Sequence, residues 1–357
     1  MSTGKKIGVF ATIVVVLVIL TAGSRWLFFN VIKNDQVLDG LVEFRAYVAR
    51  DMESGNESGV YYVKNVKKSD VHNINKYIDS AYGSVDTYRI IVESGDYLVI
   101  QFNFELSDNY YVVRKYRDGT DIPADNARAY QLYDVVDGFI DKYIKKDMTD
   151  FDMEIAAHDY IVSNCRYGYP ENPDDAYTAY GALVLRQSVC DGYAEAFYII
   201  MSCLGINCDI VVGSTDDGLH AWNQIELGGE WYNIDLTWDD SLPDMGDYIK
   251  HTYVNVTDAV LEKTHTWQKQ FYRKCTADEY NFFSKRFYRY ETFDDYVKGI
   301  KIQIGRNKVV EAAVRAEEST FDLSFFYNYG NISSLNYVIE DLADYKVIIV
   351  YLNLKRS

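Results

Sequence analysis

Leu219–Asp240 reads LHAWNQIELGGEWYNIDLTWDD, and the fold turns on this segment. Two stretches of alternating apolar and polar residues meet at Gly228-Gly229, a pair free to adopt the positive φ angles of a two-residue hairpin turn. With that turn Leu227 faces Glu230, and the register carries outward until Asp235 faces Trp222 and His220 faces Thr237. His220 and Asp235 are then diagonal neighbours on one face. Such neighbours sit about 7–8 Å apart at the backbone, close enough for their side chains to hydrogen-bond. A carboxylate that holds one imidazole nitrogen leaves the other free to take a proton from a nucleophile. Trp222 and Trp231 read as packing residues, and Asp239 and Asp240 as loop or cap residues beyond the second strand.

Upstream, Ser188–Gly213 reads SVCDGYAEAFYIIMSCLGINCDIVVG. Tyr193, Phe197, Ile200, Met201 and Leu204 recur at helical spacing, and Gly205 supplies a left-handed stop, so a helix is expected from Cys190 to just before Gly205. Cys190 falls in its first turn. Unpaired backbone N–H groups and the positive end of the helix dipole favour a thiolate there. Nucleophile, base and orienting acid are thus expected at Cys190, His220 and Asp235.

These pieces resemble the transglutaminase-like superfamily, in particular its bacterial surface branch with a kyphoscoliosis-peptidase-like core. The resemblance runs from about Ala156 to Trp267, about a third of the chain. It rests on AYGALVLRQSVCDGYAEAF (Ala179–Phe197), LGINCDIVVG, the hairpin quoted above, and HTYVNVTDAVLEKTHTW (His251–Trp267), in that order. It implies an α+β, papain-like core: a helix bearing Cys190 against an antiparallel sheet bearing His220 and Asp235. It implies acyl transfer through a thioester on Cys190, with no cofactor. The oxyanion would be met by the Cys190 backbone N–H and a donor from Tyr180 or Gln187, and Asp191, Gly192, Trp222 and Trp238 would line the site. Water as acceptor gives a peptidase or amidase, and an amine gives a cross-linking enzyme. Hydrolysis is the expectation, since nothing in the sequence marks a water-excluding tunnel. The rival of another class is a surface adhesin or scaffold with a silent triad.

The rest of the chain bounds these readings. Fifty-three acidic against 36 basic residues give a net charge of −17, which repels phosphate backbones and excludes nucleic acid as an expected partner. The expected partner is a protein or peptide substrate. Lys5 and Lys6 precede an apolar run, Ile7–Gly23, read as a membrane-anchoring helix with a cytoplasmic N-terminus and the catalytic part outside. A cleaved signal, giving a secreted protein, is the alternative. No paired-cysteine knuckle or His-x-x-x-His helix occurs, and His72, His158, His251 and His265 read as structural or solvated. Five cysteines leave at least one thiol free if the others pair.

The expected division is an anchor at 1–33, a mixed α+β domain at 34–148, the catalytic core at 149–275 and a second mixed α+β domain at 276–357. In the first flank, strands are expected at Val60–Val63, Tyr88–Val92, Tyr97–Phe104 and Tyr110–Lys115. A helix is expected after Ser69, and another over Ala127–Ile144 with Tyr130, Tyr133, Val136, Phe139 and Tyr143 on one face. In the second flank, Phe287–Tyr290, Val309–Ala316, Phe321–Tyr327 and Tyr345–Leu354 read as extended, and Phe293–Ile300 and Ser333–Leu342 as helical. The similar order raises the expectation of two related units.

Overall fold

A computed structural model describes residues 37–71, 82–94, 97–240, 248–304, 309–315, 321–329, 332–342 and 344–354. Ile7–Gly23 lies outside them. Among the described residues no helix is long and apolar enough to cross a membrane, which corrects the expected membrane helix and the single-pass location built on it. The longest described helix has 17 residues and carries Arg128, Asp134, Asp137, Asp141 and Lys142, charges that a bilayer interior disfavours.

The architecture is α+β. Its first module comprises β1 (Val37–Asp39), α1 (Gly40–Glu53), β2 (Ser58–Lys64), the single turn α2 (Lys68–Val71), β3 (Gly83–Ser94) and β4 (Tyr97–Leu106). The sheet order is β1-β2-β4-β3, with β1 and β2 parallel and the other pairs antiparallel. Leu41, Phe44, Val48 and Met52 recur along one stripe of α1 and are buried, as are Leu98, Ile100 and Phe102 on alternate positions of β4. Of the helix expected after Ser69, only α2 is described; Ile74, Tyr77 and Ile78 lie outside the described residues.

Tyr110–Lys115 is not a strand but part of α3 (Asp108–Asp118). The β-forming residues Tyr110, Tyr111, Val112 and Val113 are overridden by helical burial of Asn109, Val112 and Val113 and by Gly119, left-handed at φ 75°. In α4 (Ala127–Tyr143) the buried stripe is Ala129, Leu132, Val136 and Phe139, while Tyr130 and Tyr143 stay exposed at its flank. A Thr149–Asp152 capping box starts α5 (Asp150–Asn164).

The core continues with β5 (Arg166–Tyr167), β6 (Gln187–Ser188), α6 (Cys190–Leu204), β7 (Cys208–Thr215), β8 (Gly218–Leu227), β9 (Glu230–Ile234), the single turn α7 (Leu236–Asp239), α8 (Asp258–Leu261) and β10 (Thr266–Trp267). An antiparallel sheet of order β10-β7-β8-β9 backs α6. Gly205, at φ 76°, ends α6. Leu227 pairs with Glu230 across Gly228-Gly229, both at positive φ. The ladder stops at Asn223 and Ile234, so Asp235 leaves the sheet and begins α7 rather than facing Trp222.

The last module has α9 (Phe282–Lys285), β11 (Arg289–Tyr290), α10 (Phe293–Ile304), β12 (Val309–Val314), β13 (Ile332–Leu342) and β14 (Tyr345–Leu354). Ser333–Leu342 was expected to be helical and is a strand: β14 lies between β12 and β13, and β13 pairs with it from Ile332 to Leu342. Phe321–Tyr327, expected extended, contains a 3₁₀ turn over Leu323–Asn328, started by the Asp322 carboxylate accepting from the Ser324 N–H. The sheet order β11-β12-β14-β13 repeats that of the first module, including the parallel first pair. Val310, Ala312, Val314, Ile348 and Val350 face the module's own core with Tyr296 and Ile300 of α10. Ala313, Val347 and Ile349 point the other way, into the hydrophobic core shared by the first module and the central sheet. Burial on both faces explains the unbroken apolar run of β14.

Candidate active site

Cys190 opens α6 because Val189 is extended and Gly192 lets the first helical turn press against the segment 176–178. A Cβ on Gly192 would lie 1.9 Å from Ser188 Oγ, 2.7 Å from the Thr178 carbonyl oxygen and 2.9 Å from that of Ala176. Backbone atoms cannot give way to it. Gly192→Ala is therefore expected to cost about 1–3 kcal/mol of stability by overpacking and to misplace Cys190; urea unfolding together with thiol alkylation rates checks both effects.

The small cluster Cys190, Ala194 and Ala221 joins the first turn of α6 to β8 beside His220. One turn along, Asn223 Nδ2 donates to the Ala194 carbonyl at 3.0 Å and ties the same two elements together. His220 Nε2 lies 2.7 Å from Asp235 Oδ2, which leaves Nδ1 as the nitrogen for the Cys190 side. Cys190, His220 and Asp235 are all buried, Asp235 almost completely. Burial opposes charge on His220, but the Asp235 carboxylate and Cys190 outweigh it and push the imidazole up to about 10. Burial likewise opposes charge on Asp235, and the two imidazoles beside it hold it well below the usual carboxylate range.

The second of those imidazoles is His265, read from the sequence as structural or solvated. It is buried, with Nε2 3.1 Å from Asp235 Oδ2 and Nδ1 2.8 Å from the Thr264 hydroxyl. Asp235 Oδ1 accepts the Trp238 N–H at 3.1 Å. The carboxylate is thus fixed from three sides. Trp222 lies 6.0 Å from the His220 ring at 21°, and Trp238 lies 6.3 Å from it. Both tryptophans therefore border the imidazole. Asp191 accepts a weak contact from Cys190 Sγ at 3.4 Å.

The two residues expected as oxyanion donors sit differently. The Tyr180 hydroxyl donates to Gln131 Oε1 at 2.6 Å, and Arg128 lies over its ring at 4.0 Å, which commits it to α4. Gln187 is in β6, its side-chain amide against Gly168. The chain enters β6 through Arg186, left-handed at φ 59°, and β6 pairs in parallel with β5 so that Tyr167 stands opposite Ser188. That register brings the Tyr167 hydroxyl near Cys190: burial first, then the charges of Cys190, Tyr169 and Asp191, push it up to about 12. Tyr167, Tyr169 and Tyr177 are exposed, the last two 6.2 Å apart edge to face. The sequence signal for this aromatic rim is the tyrosine density of Tyr167–Tyr180.

All five cysteines are free thiols. Burial pushes Cys165 and Cys203 up to about 12 and also raises Cys208 and Cys275 above the ordinary thiol value. A polar cleft of about 520 Å³ lies at the far end of α6, lined by Arg45, Ser202, Cys208 and Arg273. Ser202 is twelve residues along the helix from Cys190, about 18 Å at 1.5 Å per residue, so the cleft belongs to the seam between the first module and the core. Asn255, in a glycosylation-type triplet, is fully buried and donates to Glu154 at 2.8 Å.

On α6, Glu195 Oε2 accepts from the Ala179 N–H and from Asn109 Nδ2, each at 3.0 Å. Burial raises its carboxyl to about 7, against the lowering effect of those two bonds. The folded state holds this proton more tightly than the unfolded chain, so the contribution is full below the ordinary value of 4.5 and is lost as pH rises to about 7. Glu195→Gln keeps an oxygen for both donors and removes the charge. It is expected to flatten that decline, with a gain on the order of 3 kcal/mol at pH 8 and none near pH 4, as read by urea unfolding across pH.

Helix-borne Cys190 thus lies against His220 on the antiparallel sheet, and Asp235, one residue past β9, holds His220. Residues 137–236 match the family model described as the transglutaminase-like superfamily, and this part of the chain is a transglutaminase-like domain. No curated protein matches the chain. Among solved structures, one described as a TGase overlaps 60% of this chain and 62% of its own, at 12% identity and a TM-score of 0.29. Calcium-bound LapG of Legionella pneumophila overlaps 39% of this chain and 75% of its own, at 14% identity and a TM-score of 0.24. The chain thus spans less than two thirds of the TGase structure, and overlaps at such scores carry no weight for activity.

Proposed function

We propose that the chain is a cysteine acyl-transfer enzyme that hydrolyses peptide or amide bonds through a thioester on Cys190. The observation that carries this reading is the 2.7 Å bond from His220 Nε2 to Asp235, formed where β8 packs on the Cys190 turn of α6. His220 Nδ1 takes the thiol proton, and the sulfur attacks the carbonyl carbon. The oxyanion is met by the Cys190 backbone N–H, unpaired at the helix start. The intermediate collapses as the imidazolium gives its proton to the leaving amine, and a thioester remains. Water, deprotonated by His220, then attacks that thioester, releasing the acid and the free thiol. The exposed rim of Tyr167, Tyr169 and Tyr177 suits an extended polypeptide, since such rings offer both apolar faces and hydroxyl groups.

The test is incubation of the chain with labelled peptides, with and without a primary amine, read by mass spectrometry. New carboxyl termini or deamidated side chains support hydrolysis. Adducts of the amine in their place make the enzyme a cross-linker. No product of either kind, together with an unlabelled Cys190 after iodoacetamide, sinks the reading.

A further inference from the structure

We propose that His158, Asp159 and His251 bind a divalent transition-metal ion of the zinc class, at the junction between the core and the last module. His158 and Asp159 lie on α5, and His251 lies in the segment between α7 and α8. His158 Nδ1 and His251 Nε2 each stand 3.0 Å from the same oxygen, Asp159 Oδ1. One donor atom from each residue falls within 4.8 Å of the others, a spacing that one ion can bridge.

The far side of each ring is built in the way metal-bound histidines require. His251 Nδ1 lies 2.7 Å from Glu311 Oε1 on β12, and Glu311 also accepts from the Tyr248 hydroxyl at 2.7 Å. His158 Nε2 lies 3.3 Å from Asp239 Oδ2, and Asp239 is itself held by the Tyr253 N–H at 3.0 and 3.1 Å. The hydrogen-bonded Glu311 carboxylate behind His251 fixes that ring and raises its basicity as a ligand, while Asp239 stands behind His158 at ion-pair distance. His251 lies flat on Phe282 at 4.0 Å and 4°, and the two imidazoles stack 5.2 Å apart. His158 is fully buried, and its Nε2 finds no well-directed hydrogen bond.

Charge favours a cation there. Three carboxylates, Asp159, Asp239 and Glu311, surround the two rings, and the neighbouring ammonium of Lys250 is paired with Glu340. The Asp159 side chain is 36% exposed, which opens a path for the ion and a position for a water ligand. Two nitrogens, one carboxylate oxygen and water make a tetrahedral set that suits zinc.

The pair at Asp235 has the same spacing and a different shell. There the far nitrogens meet the Thr264 hydroxyl and the Cys190 side, and the second carboxylate oxygen is used by Trp238. His220, Asp235 and His265 are all buried, so no ligand position opens to water.

The test uses the full chain, loaded with zinc sulfate, dialysed, and assayed by elemental mass spectrometry and thermal unfolding. One zinc per chain is expected, with the melting temperature raised by about 2–4 °C. Asp159→Asn, at a half-exposed position, and His251→Gln are expected to lose the zinc, while Cys190→Ala and His265→Gln retain it. In the cobalt-loaded protein, a visible absorption band should vanish with Asp159→Asn. The proposal is overturned if the wild-type chain retains no zinc, if Asp159→Asn and His251→Gln retain it, or if Cys190→Ala abolishes it. None of these outcomes bears on the thioester chemistry, which is read separately by peptide turnover.

Discussion

Cys190→Ala is expected to remove peptide turnover, a loss of about 10⁴-fold or more, while thermal unfolding stays near that of the wild type. The sulfur is the only atom in the proposed reaction that forms a covalent bond to substrate, so no neighbouring group can replace it. A chemical readout comes without knowledge of the substrate. Iodoacetamide near neutral pH should label Cys190 ahead of the other thiols, because burial holds Cys165, Cys203, Cys208 and Cys275 in the protonated form. His220→Ala should slow that labelling. Equal labelling of all five thiols in folded protein would refute an activated nucleophile.

Asp235→Asn is expected to cut turnover by about 10²–10⁴-fold and to shift the alkylation profile. The wild-type carboxylate overcomes the burial that opposes charge on His220. Without it the imidazolium loses its main support, so the thiolate–imidazolium pair should form only at higher pH and the rising limb of alkylation should move upward. Three donors, from His220, His265 and Trp238, converge on this carboxylate. An amide presents one acceptor oxygen and one NH₂ group, so at least one donor faces another donor. A stability loss of about 1–3 kcal/mol should accompany the kinetic change. An unshifted alkylation profile would mean that Asp235 holds the fold and not the base.

The hairpin could be read from sequence because a two-residue glycine turn fixes register at one point, and alternation carries it along both strands. The helix at Cys190 was legible for a similar reason: its apolar stripe and Gly205 agree. His265 was not, because β10 is two residues long, too short for any period, and reaches the site only by pairing with Gly213 and Ser214 of β7. Asp239 read as a cap residue because its partners, Tyr253 and His158, arrive from distant segments. The two helix–strand exchanges share one cause. Tyr110–Lys115 and Ser333–Leu342 each contain apolar residues that fit either period, and neighbours made the choice: burial at helical spacing between Ser107 and Gly119 for the first, an unbroken partner strand for the second. The membrane helix was inferred from Ile7–Gly23 alone, and no described helix supports it.

The repeated strand order also sets how each module depends on its own chain. In the first module the central strands are β2 and β4, and the whole sheet is encoded by residue 106. In the last, the second central strand is β14, the final segment described. During synthesis β12 and β13 must therefore wait, unpaired with each other, until Tyr345–Leu354 has emerged to join them. Glu311, the carboxylate behind His251, waits with them. A chain cut before Tyr345 would keep its first sheet and lose the last. The junction with the core thus cannot lock before β14 has been made.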